Sequence, residues 1–119
     1  MTNVAVIGGN LVRDPELRYA KTGKPFTKFT VAVNEGVGEK RTAHFIDVTC
    51  FDFTAEQVAE LARKGSRVLV EGRIVTDSWK DKEGNSRKTT YVLGRTVAVI
   101  PRTPAKSDAP EEDLSELPF

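Results

Sequence analysis

The 119-residue chain is poor in the residues that build most catalytic and metal sites. It has one cysteine, one histidine, one methionine and one tryptophan. A single thiol, Cys50, excludes an internal disulfide framework and fits a reducing compartment. With His44 as the only histidine there is no Cys/His set for zinc, so neither a metal nor a cofactor is expected. No apolar run approaches the roughly 18 residues that span a bilayer. The segment 1–12 lacks a basic leading region, and Gly8, Gly9 and Asn10 interrupt its short apolar run, unlike a secretory signal. A soluble, cytoplasmic protein without a membrane partner is expected. Net charge is scarce too: 18 Lys+Arg against 17 Asp+Glu leave +1, which by itself argues against a nucleic-acid partner.

That balance is an average over two unlike parts. Residues 1–102 hold 17 Lys+Arg against 12 Asp+Glu, giving +5, whereas residues 103–119 hold Lys106 against five acids, giving −4. The second part also contains Pro104, Pro110 and Pro118 and almost nothing that could form a core. It cannot bury enough apolar surface to offset its ordering entropy, and it reads as a disordered acidic tail. The expected organisation is one basic domain over 1–102 followed by that tail.

Within the domain, Val, Ile, Thr and Phe alternate with period two, the mark of half-buried strands. The pattern predicts strands at Val4–Val12, Phe26–Asn34, His44–Phe51, Arg67–Thr76 and Thr89–Ile100. Gly8-Gly9 predicts a bulge or bend in the first, and Gly84-Asn85 marks the turn of a long hairpin between the last two. Thr54-Ala-Glu-Gln57 reads as a capping box opening a short helix, with Ala55, Val58, Ala59, Leu61 and Ala62 at helical spacing and Gly65 as a left-handed stop. Three strands, a helix and two strands predict an all-β fold with one short helix. It is a five-stranded OB-type barrel carrying a long hairpin, although other small α+β arrangements share the order.

Catalytic signals are weak. His44 has no second histidine or free thiol beside it in sequence and reads as a strand-edge polar residue. Gly8-Gly9 and Gly36-Val-Gly38 match neither a dinucleotide fingerprint nor a phosphate loop. An enzyme is not expected.

The informative segment is the third strand. Alternation places Ile46, Val48 and Cys50 on the core face and Phe45, Asp47, Thr49 and Phe51 on the other. Two phenylalanines roughly 20 Å apart on a polar face, at about 3.3 Å per residue, suit a stacking platform for unpaired bases. A second small core or a subunit contact would explain them equally well. Trp79 lies on the hairpin arm among Lys80, Lys82, Arg87 and Lys88, where a large aromatic fits ligand contact better than core packing. Basic residues recur at Arg13, Arg18, Lys21, Lys24, Lys40 and Arg41. With the interleaved aromatics they describe a groove in which phosphates meet cations while bases stack.

These residues resemble the bacterial and phage single-stranded DNA-binding proteins. The likeness runs through Asn10-Leu11, Asp14-Pro-Glu-Leu-Arg-Tyr19, Gly23, Phe29-Thr-Val-Ala-Val33 and Phe45-Ile-Asp-Val48. It continues through Ala59-Glu-Leu61, Lys64-Gly-Ser-Arg-Val-Leu-Val-Glu-Gly-Arg73, Ser78-Trp-Lys-Asp81 and Gly84, covering nearly all of residues 1–100. The resemblance implies that Phe45, Phe51 and Trp79 stack on bases and that Arg18, Arg63 and Lys64 lie along the DNA path; Lys80, Arg87 and Lys88, the cations around Trp79 on the hairpin, are expected as further phosphate contacts. It also implies a homotetramer. A further stacking tryptophan common in relatives has no counterpart in the Glu35–Ala43 loop. Val75, Asp77 and Ser78 replace residues that are often basic. Both departures bear on affinity, site size and binding mode.

The chain closes with Asp113-Leu-Ser-Glu-Leu-Pro-Phe119. The resemblance implies that such a segment docks on replication, recombination and repair proteins, through Asp113, Glu116, Leu117, Pro118 and Phe119. An aromatic ring can fill an apolar pocket while carboxylates meet surrounding cations. The expected activity is sequence-independent binding and protection of single-stranded DNA in those processes. The rivals are an OB-fold primosome adaptor and an RNA-binding OB module.

Overall fold

Strands form where the β-branched and aromatic runs alternate. The computed structural model describes residues 1–100; the expected domain boundary, the acidic tail and its five docking residues lie outside them. Strands are β1 (Ala5–Leu11), β2 (Glu16–Tyr19), β3 (Pro25–Glu35), β4 (Thr42–Phe51), β5 (Arg67–Lys80) and β6 (Ser86–Ile100), with helix α1 (Asp52–Leu61) between β4 and β5. The sheet order is β1-β5-β6-β4-β3-β2, and β1 pairs a second time with β3. That second pairing closes β1, β5, β6, β4 and β3 into a five-stranded barrel of the expected OB type. Among the described residues only β4 and β6 run parallel, meeting at Val48↔Val92 and Thr49↔Leu93.

The short β2 is an addition to the expected plan. It forms a hairpin with β3, from Glu16↔Lys28 to Tyr19↔Pro25, over a turn in which Gly23 has φ 91°. Four residues with one half-buried leucine, Leu17, give too brief an alternation to read in advance.

Of the bulge or bend expected at Gly8-Gly9, no bulge forms, since β1 keeps one register against β5 from Ala5↔Gly72 to Asn10↔Arg67. Gly9 instead lies where β1 passes to β3, and a Cβ there would strike the Ala32 carbonyl. The register shift falls in the β5–β6 ladder, between Glu71 and Gly72. A glycine is required at that point for the same reason, close approach of two backbones.

Val31, Val48, Val58, Val68 and Val70 are fully buried at the centre, each contributing roughly 1.5–3 kcal/mol by leaving water. Cys50 joins them, and burial pushes its thiol up to about 12, so it packs as a small apolar group. Helix α1 closes one end of the barrel through Ala55, Val58 and Ala62. It starts two residues before the expected cap. Phe51 is the N-cap and has no polar side-chain atom to cap with, while the Thr54 hydroxyl donates to the Arg95 carbonyl at 3.2 Å. Leu61 faces outward and is exposed. The left-handed Gly65, at φ 88°, sits in the turn after the helix and donates its N–H to the Leu11 carbonyl at 2.8 Å.

The β5–β6 hairpin is longer than alternation alone predicts. Pairing continues without further shift from Gly72↔Gly94 to Lys80↔Ser86, so the arm bearing Trp79 is a regular two-stranded ribbon rather than a loop. Asp81 shapes its tip. Its carboxylate accepts the N–H groups of Glu83 and Asn85, each at 2.9 Å, and the Arg87 Nε–H at 3.0 Å. The Asn85 N–H first, then Arg87, holds the Asp81 carboxyl below its usual range.

Candidate nucleic-acid interface

An open groove of about 980 Å³ runs across the faces of β3, β4, β5 and β6. Five aromatic residues line it: Phe26, Phe51, Trp79 and Tyr91, with the buried Phe29 at its floor. Each is placed by strand register. Phe26 faces Phe51 across β3–β4, with ring centroids 6.1 Å apart and planes inclined by 39°. On the arm, Trp79↔Arg87 and Asp77↔Thr89 are direct cross-strand pairs, and such pairs share a face. Trp79 keeps 49% of its surface exposed and Phe51 37%, so both offer ring area to a ligand. The Lys24 ammonium stands 5.0 Å from the Phe51 ring centre and 3.7 Å from the Asp52 carboxylate.

Of the expected stacking residues, Phe51 and Trp79 are therefore brought together. Phe45, 65% exposed, lies apart, in a neighbouring apolar pocket of about 270 Å³ with Ala5, Ile7, Ile74 and Val92. Asp47 and Tyr91 line both hollows and join them. Thr49, expected on the open face, is 7% exposed, covered where β4 meets β6.

The expected cations are spread more widely. Arg18 lines the groove and pairs with Glu16 at 2.9 Å. Arg63 folds back on the end of α1, donating from Nη1 to the Ala59, Glu60 and Ala62 carbonyls. The neighbouring Lys64 gives its N–H to the Asp14 carboxylate at 2.6 Å, leaving the side chain exposed. Arg87 shares the face of Trp79, whereas alternation turns Lys80 and Lys88 to the opposite face of the arm.

Four contributors lay outside the sequence-predicted site: Phe26, Lys28, Tyr91 and Asp77. Continuing the alternation of the second strand back from Lys28 and Thr30 would have placed Phe26 beside them. Tyr91 could be assigned only from the hairpin register. Its hydroxyl donates to Asp77 Oδ2 at 3.3 Å; burial first, then the charge and hydrogen bond of Asp77, raises its pKa. The groove is not uniformly basic: Arg13, Arg18 and Lys28 line it beside Asp14, Glu16, Asp47 and Asp77. Among the described residues, no group of three His, Cys, Asp or Glu is placed to hold a metal ion, and no helix is long and apolar enough to cross a membrane.

Comparison with known proteins supplies the context for this groove. A family model described as "Single-strand binding protein family" matches residues 2–100. Single-stranded DNA-binding proteins from several bacteria are similar to the chain. That of Thermotoga maritima is 33% identical over 98% of this chain and 86% of its own length. That of Thermus aquaticus is 41% identical over 88% of this chain and 40% of its own. For Deinococcus radiodurans the values are 37%, 84% and 35%. The chain thus spans about a third of the Deinococcus relative's length.

Proposed function

The chain belongs to the single-strand binding protein family, and from that premise we propose that it is a non-enzymatic protein that binds and protects single-stranded DNA of any sequence, with little sequence preference. One observation carries the proposal most directly: Phe26, Phe51, Tyr91 and Trp79 line a single open groove together with Arg13, Arg18 and Lys28. Bases stack on rings of any sequence because every base has a π face, while cations neutralise the phosphates. In this reading Phe51 and Trp79 hold successive bases and Phe45 receives another in the adjoining pocket. Arg18, Arg63, Lys64, Lys80, Arg87 and Lys88 neutralise the backbone as it passes the groove, the helix end and the arm. Replication, recombination and repair are the processes that expose such DNA, and residues 113–119 recruit their proteins. Val6, Leu69 and Ile100, exposed on the outer faces of β1, β5 and β6, offer apolar surface for the homotetramer.

Two measurements test this reading. Titration with oligo-dT is expected to quench Trp79 fluorescence, with an affinity that falls as salt rises because phosphate contacts release counterions. Absence of quenching at stoichiometric oligonucleotide would overturn the site. Deletion of residues 113–119 is expected to leave oligo-dT affinity unchanged or tighter while ending capture of replication proteins. Loss of DNA binding on that deletion would contradict the division of labour between domain and tail.

A further inference from the structure

Carboxylates are unexpected on a surface meant for polyphosphate. Two of them, Asp47 and Asp77, sit among the aromatic rings. Their placement follows from register: Asp47 is the cross-strand partner of Thr30, and the Thr30 hydroxyl donates to its Oδ1 at 2.8 Å. Asp47 precedes Val48, the partner of Val92 in the parallel contact, which brings Tyr91 alongside. Tyr91 in turn donates to Asp77. Thr30, Asp47, Tyr91 and Asp77 therefore form a polar row across β3, β4, β6 and β5, with Phe26 and Phe51 on one side and Trp79 out along the arm. All of these side chains line the groove. Neither carboxylate has a cationic partner within salt-bridge distance among the described residues. Each therefore has spare acceptor capacity with no cation set against it.

A carboxylate repels phosphate and accepts hydrogen bonds only from donors. DNA lying in this groove must therefore turn its backbone away from the polar row and its base edges toward it. Base edges differ in what they can give. Cytosine and adenine carry an exocyclic amino group, and guanine adds a ring N–H beside its own; a carboxylate accepting from cytosine N4 is an established pairing. Thymine has no amino group, and its one ring N–H lies between two carbonyl oxygens that face a carboxylate with like partial charge.

Resting on the reading of the groove as a single-stranded DNA site, we propose that Asp47 and Asp77 bias it toward amino-bearing bases and against thymine. The bias is superimposed on stacking that every base shares. Asp47 has the larger role, because it stands where the groove meets the Phe45 pocket and meets bases in either hollow.

The test compares oligo-dC and oligo-dT of equal length at pH 8 and matched salt, by anisotropy of labelled DNA, for the full chain and for Asp47→Asn and Asp77→Asn. Asparagine keeps an acceptor for Thr30 or Tyr91 but offers a donor of its own and removes the charge. The dC:dT affinity ratio is expected to fall about fivefold in Asp47→Asn, mainly through tighter oligo-dT binding, with a smaller fall in Asp77→Asn. An unchanged ratio in variants that bind both oligonucleotides would overturn this proposal and leave the DNA-binding reading standing. Failure of the unmodified chain to bind either oligonucleotide would overturn both.

Discussion

Trp79→Ala is expected to weaken oligo-dT binding about 5- to 150-fold, the range that corresponds to one stacked base at roughly 1–3 kcal/mol. Anisotropy of labelled DNA is the appropriate measurement, since the substitution removes the fluorophore. Fold and function separate cleanly at this position. The side chain already exposes 49% of its surface, and the ribbon that carries it is held by the ladder from Asp77↔Thr89 to Lys80↔Ser86. The hydrogen bonds gathered by Asp81 support it from the tip. Thermal unfolding is therefore expected to shift little. Trp79→Phe, which keeps an aromatic face, should recover much of the lost affinity. A folded alanine variant that binds oligo-dT as before would remove Trp79 from the interface.

The largest effect on stability is expected at a residue without a side chain. Gly72 is buried at the register shift of the β5–β6 ladder. A Cβ there would strike the Leu93 carbonyl oxygen, lie 2.9 Å from its carbon and stand 3.0 Å from the Gly94 Cα. Every one of those atoms is backbone, so no side chain can rotate aside. Relief requires β5 and β6 to separate where they also carry Val70 and Val92 into the core. Gly72→Ala is expected to destabilise the domain by about 3 kcal/mol, the upper end for overpacking, lowering the unfolding midpoint by roughly 12–24 °C for a domain of this size. Gly23→Ala is the control. Its φ of 91° disfavours a side chain, but nothing lies within 4 Å of the new methyl, so about 1 kcal/mol is expected. Equal losses in the two variants would show that backbone conformation, not close approach, sets the requirement at Gly72.

Much of the barrel was legible because period two reports burial directly. Phe29 and Val31 on β3, and Val48 and Cys50 on β4, face the core as their alternation predicts. What failed was local chemistry overruled by tertiary contact. Thr54 has the right residue three places on for a capping box, yet its hydroxyl serves Arg95 on β6, a partner that no local pattern contains. Gly8-Gly9 left a bulge or a bend open, and only the β1–β3 closure shows why glycine is needed there, since a Cβ on Gly9 would strike the Ala32 carbonyl. The interface was legible in its parts and not in its assembly. Phe51 and Trp79 could be named from exposure on a polar face, but they share a groove only because β4 and β6 run side by side. The same adjacency recruits Tyr91 and Asp77 and leaves Phe45 in a separate hollow.

The unbroken pairing of the β5–β6 arm also limits how its length can vary. Side chains on a paired ribbon change sides at every residue. Removing one residue from each strand below Trp79 would leave the strands paired and still carry the indole to the back of the arm, where Lys80 and Lys88 now point. Removing two from each would return it to the groove, about 7 Å nearer the barrel. The arm thus obeys a parity rule: a gain or loss preserves the indole's side only in steps of two residues per strand.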